Sequence, residues 1–359
     1  MRIPTEPIGS IPRPLELVEG LKANAAGRLS STELNVLLDR AVQDTIRRFE
    51  ATGSPVITDG EQTKPSFATY PIHGMKALDP DGVVIPFADG HTRQLPKITG
   101  GPFRYQQHAV TFYNHAKRYA HMPVKQAVIS ASALSLLYPQ AAISGYSREA
   151  FTADLLNEHE ADIRGCLAAG AWNVQIDFTE ARLAVKLDPS KGLLRSFVSL
   201  NNQVLERFAE PERNRLGVHT CPGGDQDSTH SADVDYAEML PLLFEMKVKN
   251  FYLQYASEKD KRHVLKMVKR SMKPGQCVFL GVIDVLDPRI ETPEEIRDLI
   301  LEAAEHIPPA QLGTTDDCGF SPFADDTSTS RETAFAKIKA RLEGTLLAQD
   351  VLSKRNAIA

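Results

Sequence analysis

A short, β-prone apolar run that ends in reactive polar residues recurs along this chain, and the stretches between copies carry helical periodicity. The runs are Val56 to Glu61 (VITDGE), Lys125 to Ala131 (KQAVISA), Trp172 to Phe178 (WNVQIDF), Arg215 to Cys221 (RLGVHTC), Asn250 to Ala256 (NFYLQYA), Val278 to Asp284 (VFLGVID) and Leu312 to Cys318 (LGTTDDC), with Glu6 to Ile11 (EPIGSI) a weaker first candidate. Runs of this kind read as buried parallel strands. Helical patterns fill the intervals at Ser31 to Thr52, Arg148 to Ala169, Asp235 to Met246, Lys259 to Arg270, Thr292 to Glu305 and Arg331 to Leu352. Thr292-Pro293-Glu294-Glu295 is a start signal, with a capping hydroxyl and proline at the first helical position. From the third run on, strand starts fall roughly 28 to 47 residues apart, one βα unit each. Eight such strands predict an α/β fold of the closed (β/α)8 barrel (TIM) type. An open doubly wound sheet is disfavoured, because no G-x-G-x-x-G follows a strand.

One stretch breaks the alternation. Gly74 to Gly101 carries Asp79-Pro80-Asp81-Gly82, then VVIPF, then Asp89-Gly90-His91, which predicts a β-hairpin insertion after the second strand. No repeat, low-complexity tract or linker divides the 359 residues, so the expectation is a single barrel over 1–359 with an insertion at about 74–101.

A net charge of −5 with no dense Lys/Arg run argues against nucleic acid or an anionic membrane surface as partner. Met1 to Pro7 lacks the apolar segment of a signal peptide, and no stretch approaches the roughly 20 apolar residues of a membrane span. A cytoplasmic protein is expected, and in that reducing compartment Cys166, Cys221, Cys277 and Cys318 are thiols, metal ligands or nucleophiles before they are disulfides.

Barrel enzymes place their chemistry at the C-terminal ends of the strands. Asp59, Glu61, Asp177, His219, Cys221, Gln254, Asp284, Asp316, Asp317 and Cys318 all fall there. In His219-Thr220-Cys221 the strand alternation turns an imidazole and a thiol to the same side, and Cys318 ends another strand that can reach the mouth. One imidazole and two thiolates form a zinc-type set, with a fourth position left open as in catalytic sites. The competing reading is packing, with the cysteines as small hydrophobes and His219 as a core histidine. Cys166 lies in an apolar helical pattern and Cys277 precedes a strand, so both read as packing residues. Gly223-Gly224-Asp225 shapes the loop after Cys221 but has no following lysine that would make it a phosphate cradle.

These ordered motifs resemble the catalytic barrel of cobalamin-independent methionine synthases nearly end to end. PIGSIPRP resembles the family's IGSFP segment, ITDGE its HGE strand, NVQID its IQID strand, GVHTC its H-x-C strand and DDCG its PDCG strand. The resemblance implies that His219, Cys221 and Cys318 bind zinc, that Ile8, Gly9 and Ser10 line the thiol pocket, and that Glu61 and Asp177 hold the homocysteine ammonium. It also implies attack of an activated thiol on a methyl donor of the 5-methyltetrahydrofolate type, with Asp284 as the catalytic strand-seven aspartate. Two positions depart from the family: Gln254 stands at the fourth ligand, where the family has Glu, and Leu286 stands at its catalytic His.

Two alternatives stay open. The related epoxyalkane:coenzyme M transferases need only His-x-Cys and a later Cys, and Arg13, Arg182 or Arg289 could meet a sulfonate thiol. A zinc-binding protein without enzymatic activity would use the same three ligands.

Overall fold

The computed structural model describes residues 2–358. Six parallel strands form one sheet in the order Leu312–Thr315, Cys277–Gly281, Asn250–Leu253, Leu216–Thr220, Val174–Asp177 and Gln126–Ile129. The first two predicted strands are not regular strands. Each reduces to a single parallel bridge, Thr5 with Thr314 and Ile57 with Val124. Pro4 and Pro7 have no N–H to give a ladder, and the second segment turns at Gly60 and Glu61, whose φ values are 66° and 54°. The two irregular segments nevertheless meet: Ile11 N donates to Gly60 O at 3.0 Å and Thr58 Oγ1 to Gly9 O at 2.8 Å. These bonds close the circuit of eight.

Alternation sorts the strand residues. Val174, Ile176, Leu216 and Val218 belong to the main apolar core. Ile8, Tyr252 and Phe279 form a small separate cluster, with the Tyr252 and Phe279 rings 4.8 Å apart. Gly217 makes room for that filling, since a Cβ there would come within 2.5 Å of the Tyr252 ring.

Polar groups share the same interior. Glu6 accepts from Tyr252 Oη at 2.6 Å and from Trp172 Nε1 at 3.0 Å, and Lys125 Nζ donates to Gln175 Oε1 at 2.8 Å. Burial lowers Lys125 to about 8.

Helices run over Ser31–Ala51, Arg148–Ala169, Lys261–Ser271, Pro293–Ala304 and Arg331–Ile358, close to the predicted spans. The Thr292 hydroxyl accepts from Glu295 N, and the Glu295 carboxylate accepts from Thr292 N, a full capping box. The predicted helix over Asp235 to Met246 is instead a 3-10 turn (Tyr236–Glu238) and one α-turn (Leu240–Leu243), with Pro241 in its first turn. Shorter helices at Glu180–Leu187 and Gly192–Leu205 follow the Val174–Asp177 strand and become important at the site. Among the described residues no helix is long and apolar enough to cross a membrane.

The predicted insertion folds as two small antiparallel pairs, Leu78–Asp79 with Lys97–Ile98 and Val84–Pro86 with Thr92–Gln94. Arg93 of the hairpin donates from Nε to Asp225 Oδ2 at 2.5 Å and from Nη1 to Asp325 Oδ2 at 3.1 Å, and lies 4.2 Å over the Phe323 ring. The hairpin is thereby clamped to the loops that follow Cys221 and Cys318.

Candidate metal centre

His219, Cys221 and Cys318 converge as the spacing predicted: their ligand atoms lie within 4.8 Å of one another, and all three residues are buried. Both cysteines are free, and their sulfurs are 2.9 Å apart, well beyond an S–S bond of about 2.05 Å. His219 Nδ1 donates to Tyr252 O at 3.3 Å, which turns Nε2 toward the lone-pair form; Nε2 is buried with no hydrogen-bond partner. Gly223 N donates to Cys221 Sγ at 3.4 Å and helps to hold the sulfur in place. An orphaned imidazole nitrogen beside two thiol sulfurs fits a divalent zinc ion by donor chemistry.

Gln254 does not complete the set. Its Oε1 accepts from Arg182 at 3.3 Å and its Nε2 donates to Ser257 at 2.5 Å, so both amide atoms are engaged elsewhere.

A cavity of about 470 Å³ opens on the triad, and Ile8, Gly9, Ser10, Glu61 and Asp177 all line it. Asp177 pairs directly with His219 in the strand register. Gln175 Nε2 donates to Asp177 Oδ1 at 2.7 Å, and because Lys125 holds the Gln175 oxygen, the amide can present only its N–H2 end to the carboxylate. Burial pushes the Asp177 carboxyl up. Ile8 N donates to Asp316 Oδ2 at 3.2 Å, and Asp316 is anchored by Arg341. Ser10 Oγ accepts from Ser321 N at 3.1 Å and packs against Gly319, where a Cβ would come within 2.2 Å of it. The loop after Cys318 is thus fitted to the N-terminal segment.

Glu61 is buried as an ion pair. Lys64 Nζ lies 3.0 Å from its Oε1 and donates also to Ala127 O at 2.9 Å. Burial raises the Glu61 carboxyl and Lys64 works against that rise. For Lys64 burial acts downward, but Glu61 and Asp59 together hold it above the ordinary lysine value. Asp59 accepts from Glu61 N at 3.1 Å and so fixes the strained turn.

Asp284 is not among the residues lining the cavity. Its carboxylate accepts from Leu286 N at 3.0 Å, and its backbone is held by Glu291 and Lys337, so it builds the turn after its strand. The three arginines considered for a sulfonate are also outside the lining. Arg13 donates to the carbonyls of Ser321, Phe323, Glu61 and Lys64; Arg182 pairs with Glu258; Arg289 pairs with Glu295. Cys166 belongs to the core, and Cys277 packs partly buried against the interior cluster.

Sequence reasoning missed Lys64, Arg93 and Glu180. Lys64 follows Glu61 by three residues in a turn and carries no periodic signal, Arg93 reaches the site only through the hairpin fold, and Glu180 opens a short helix. Glu180 lines the cavity, its Oε1 accepts from Ser130 and Ser132, and burial pushes it up to about 7.

Comparison with known proteins places the chain in a family. Residues 3–338 match the family described as cobalamin-independent synthase, catalytic domain. A methionine synthase of Saccharolobus islandicus (strain Y.G.57.14 / Yellowstone #1) is 24% identical over 357 residues, covering 98% of this chain and 97% of the relative. One of Sulfurisphaera tokodaii is 22% identical, covering 98% and 94%. Among solved structures, a B12-independent methionine synthase from Shewanella sp. W3-18-1 in complex with selenomethionine superposes with TM-score 0.77 at 20% identity, covering 99% of this chain and 100% of that one. A putative vitamin-B12 independent methionine synthase from Listeria monocytogenes gives 0.70 at 20% identity, covering 96% and 98%. The fold is therefore the TIM barrel, and the chain belongs to the cobalamin-independent methionine synthase catalytic-domain family of methyltransferases.

Proposed function

We propose that this protein is a zinc-dependent S-methyltransferase whose thiol substrate is homocysteine. The observation that carries the reading is the presence of the His219, Cys221, Cys318 triad and two buried carboxylates, Glu61 and Asp177, in one cavity. When bound there, zinc supplies a cation that keeps a substrate thiol deprotonated near neutral pH.

The chain's own groups do the rest. Lys64 already neutralises Glu61, whereas among the described residues no Lys or Arg forms an ion pair with Asp177, which lines the cavity. An ammonium group seated there gains charge-assisted hydrogen bonds and satisfies a buried carboxylate. Asp316, through Ile8, and Ser321, through Ser10, position the segment that would flank the amino-acid backbone. The second substrate is a methyl donor of the methylfolate type or another alkyl donor. A sulfonate thiol such as coenzyme M is disfavoured, because Arg13, Arg182 and Arg289 are spent elsewhere and the carboxylates would repel it.

Cobalt-substituted protein tests the reading. Homocysteine should perturb the visible spectrum of the metal saturably, and coenzyme M should not. If only the sulfonate thiol changes the spectrum, the homocysteine assignment is wrong. Metal-loaded protein whose spectrum answers to no thiol would instead be a zinc-binding protein without this activity.

A further inference from the structure

Beneath the cavity the barrel axis is polar, and its side chains form a column that ends at Asp177. Strand register sets the levels. Gln126 pairs with Val174 and Ile129 with Asp177, so Lys125 stands level with Asn173, four residues below Asp177, or roughly 13 Å at 3.3 Å per residue. Two long side chains fill that distance: Lys125 Nζ donates to Gln175 Oε1 at 2.8 Å, and Gln175 Nε2 donates to Asp177 Oδ1 at 2.7 Å. In register Gln175 is flanked by Ala127 and Gly217, neither of which carries atoms beyond Cβ to crowd it.

The column has one polarity. An ammonium group only donates and an ionised carboxylate only accepts, so the amide between them must give its oxygen to Lys125 and its N–H2 group to Asp177. Lys125 is held from below, 3.8 Å from Glu6 Oε2 and 4.0 Å over the Tyr252 ring, and Glu6 is itself fixed by Tyr252 Oη and Trp172 Nε1. Lys125, Gln175 and Glu6 are all buried. Among the described residues Gln175 makes the one side-chain hydrogen bond to the Asp177 carboxylate, at Oδ1, and Oδ2 accepts none. Without the lysine the amide could turn over. Its oxygen would then meet Oδ1, two acceptors would repel, and the carboxylate would lose its set orientation.

We propose that Lys125 is a positioning residue for the amino-acid thiol: through Gln175 it fixes the Asp177 carboxylate in the orientation that receives the substrate's ammonium group. The role rests on the homocysteine reading given above. Gln175 and Asp177 line the cavity and Lys125 does not, so the lysine acts only through the amide.

Two thiols that differ only in the amino group test this, homocysteine and 4-mercaptobutanoate, each titrated into cobalt-loaded protein and followed in the visible spectrum. Wild type should bind homocysteine more tightly. Lys125→Met should reduce that preference at least about fivefold, the scale of one hydrogen bond to a charged group, and leave the affinity for 4-mercaptobutanoate within about twofold. A bare charge effect has the opposite sign, since removing a nearby cation favours an ammonium group. Gln175→Met should reduce the preference as far as Lys125→Met does, and the two together no further, because both act through one contact. Lys125→Met leaves Glu6 without its ion-pair partner, so it is also made with Glu6→Gln and compared with Glu6→Gln alone.

An unchanged or increased preference for homocysteine in the Lys125 variants overturns the proposal. Additive losses in the double variant overturn it as well, as does an equal loss for both thiols, which marks a structural role. If wild type answers to both thiols equally, or to neither, the ammonium assignment fails and takes this role with it. Wild type that prefers homocysteine, beside Lys125 variants that keep the preference, sinks the positioning role alone.

Discussion

Lys64 Nζ sits 3.0 Å from Glu61 Oε1 with both side chains almost wholly buried, so one of the two carboxylates that line the cavity carries its own counter-ion. The pair also joins two parts of the barrel, because Lys64 donates to Ala127 O on the Gln126–Ile129 strand. Removing one partner leaves the other charge buried. Lys64→Met should therefore cost about 3–5 kcal/mol in denaturant unfolding, and adding Glu61→Gln should recover most of the loss. Parallel destabilisation in the single and double variants would show that Lys64 packs and does not neutralise.

The metal assignment makes the second prediction. Cys221→Ser or Cys318→Ser should reduce bound zinc from about one equivalent per chain to about a tenth or less, measured by elemental analysis after dialysis. Cys166→Ser lies in the apolar core away from the triad and should keep the metal while losing stability. Stoichiometric zinc in the Cys221, Cys318 double variant would remove the site.

Arg93 fastens the hairpin to Asp225 and Asp325, which belong to the two loops carrying the cysteines. Arg93→Ala should raise amide hydrogen exchange across 84–94 by about tenfold or more while leaving the Leu216–Thr220 strand protected. Unchanged exchange in the hairpin would mean that its other contacts, such as Ala88 N to Thr229 O at 2.9 Å, are enough to hold it.

Glu180 makes stability depend on pH in the direction opposite to a salt-bridged carboxylate. Its folded value of about 7 stands above the ordinary 4.5, so the unfolded chain releases the proton first. Stability is intact below 4.5 and falls as pH rises toward 7, by roughly 3 kcal/mol at 1.36 kcal/mol per unit. His159 and His230, both lowered by burial to about 4, contribute the reverse slope between 6.5 and 4. The difference between wild type and Glu180→Gln isolates the carboxyl. The variant should gain on the wild type between pH 5 and pH 8 in urea unfolding, and parallel curves at both pH values would refute the account.

Local signals along the chain were enough for the barrel, the hairpin and the meeting of His219, Cys221 and Cys318. Buried strands announce themselves by apolar runs, and the two-residue period of Leu216–Thr220 alone puts His219 and Cys221 on one side. The Thr292 to Glu295 cap and the helix Arg148–Ala169 were legible for the same reason, since their determinants lie within one turn of the chain. Where the determinants are distant, the sequence was silent. Asp284 sits at a strand end like Asp177, yet its carboxylate folds back on Leu286 while Asp177 faces the cavity. Gln254 occupies a ligand position along the chain but is held by Arg182 and Ser257. The first two strands lost their ladders to prolines and a strained turn, and long-range contacts, Thr58 to Gly9 and Thr5 to Thr314 among them, restored the closure. Backbone periodicity is a property of neighbours, so sequence alone determined the six regular strands of the sheet and which faces they offer. Charge pairing and access to a cavity are properties of groups that meet only after folding, so tertiary structure decided that Lys64 neutralises Glu61, that Arg93 clasps the hairpin, and that Leu183 and Leu187 share one cavity with the triad.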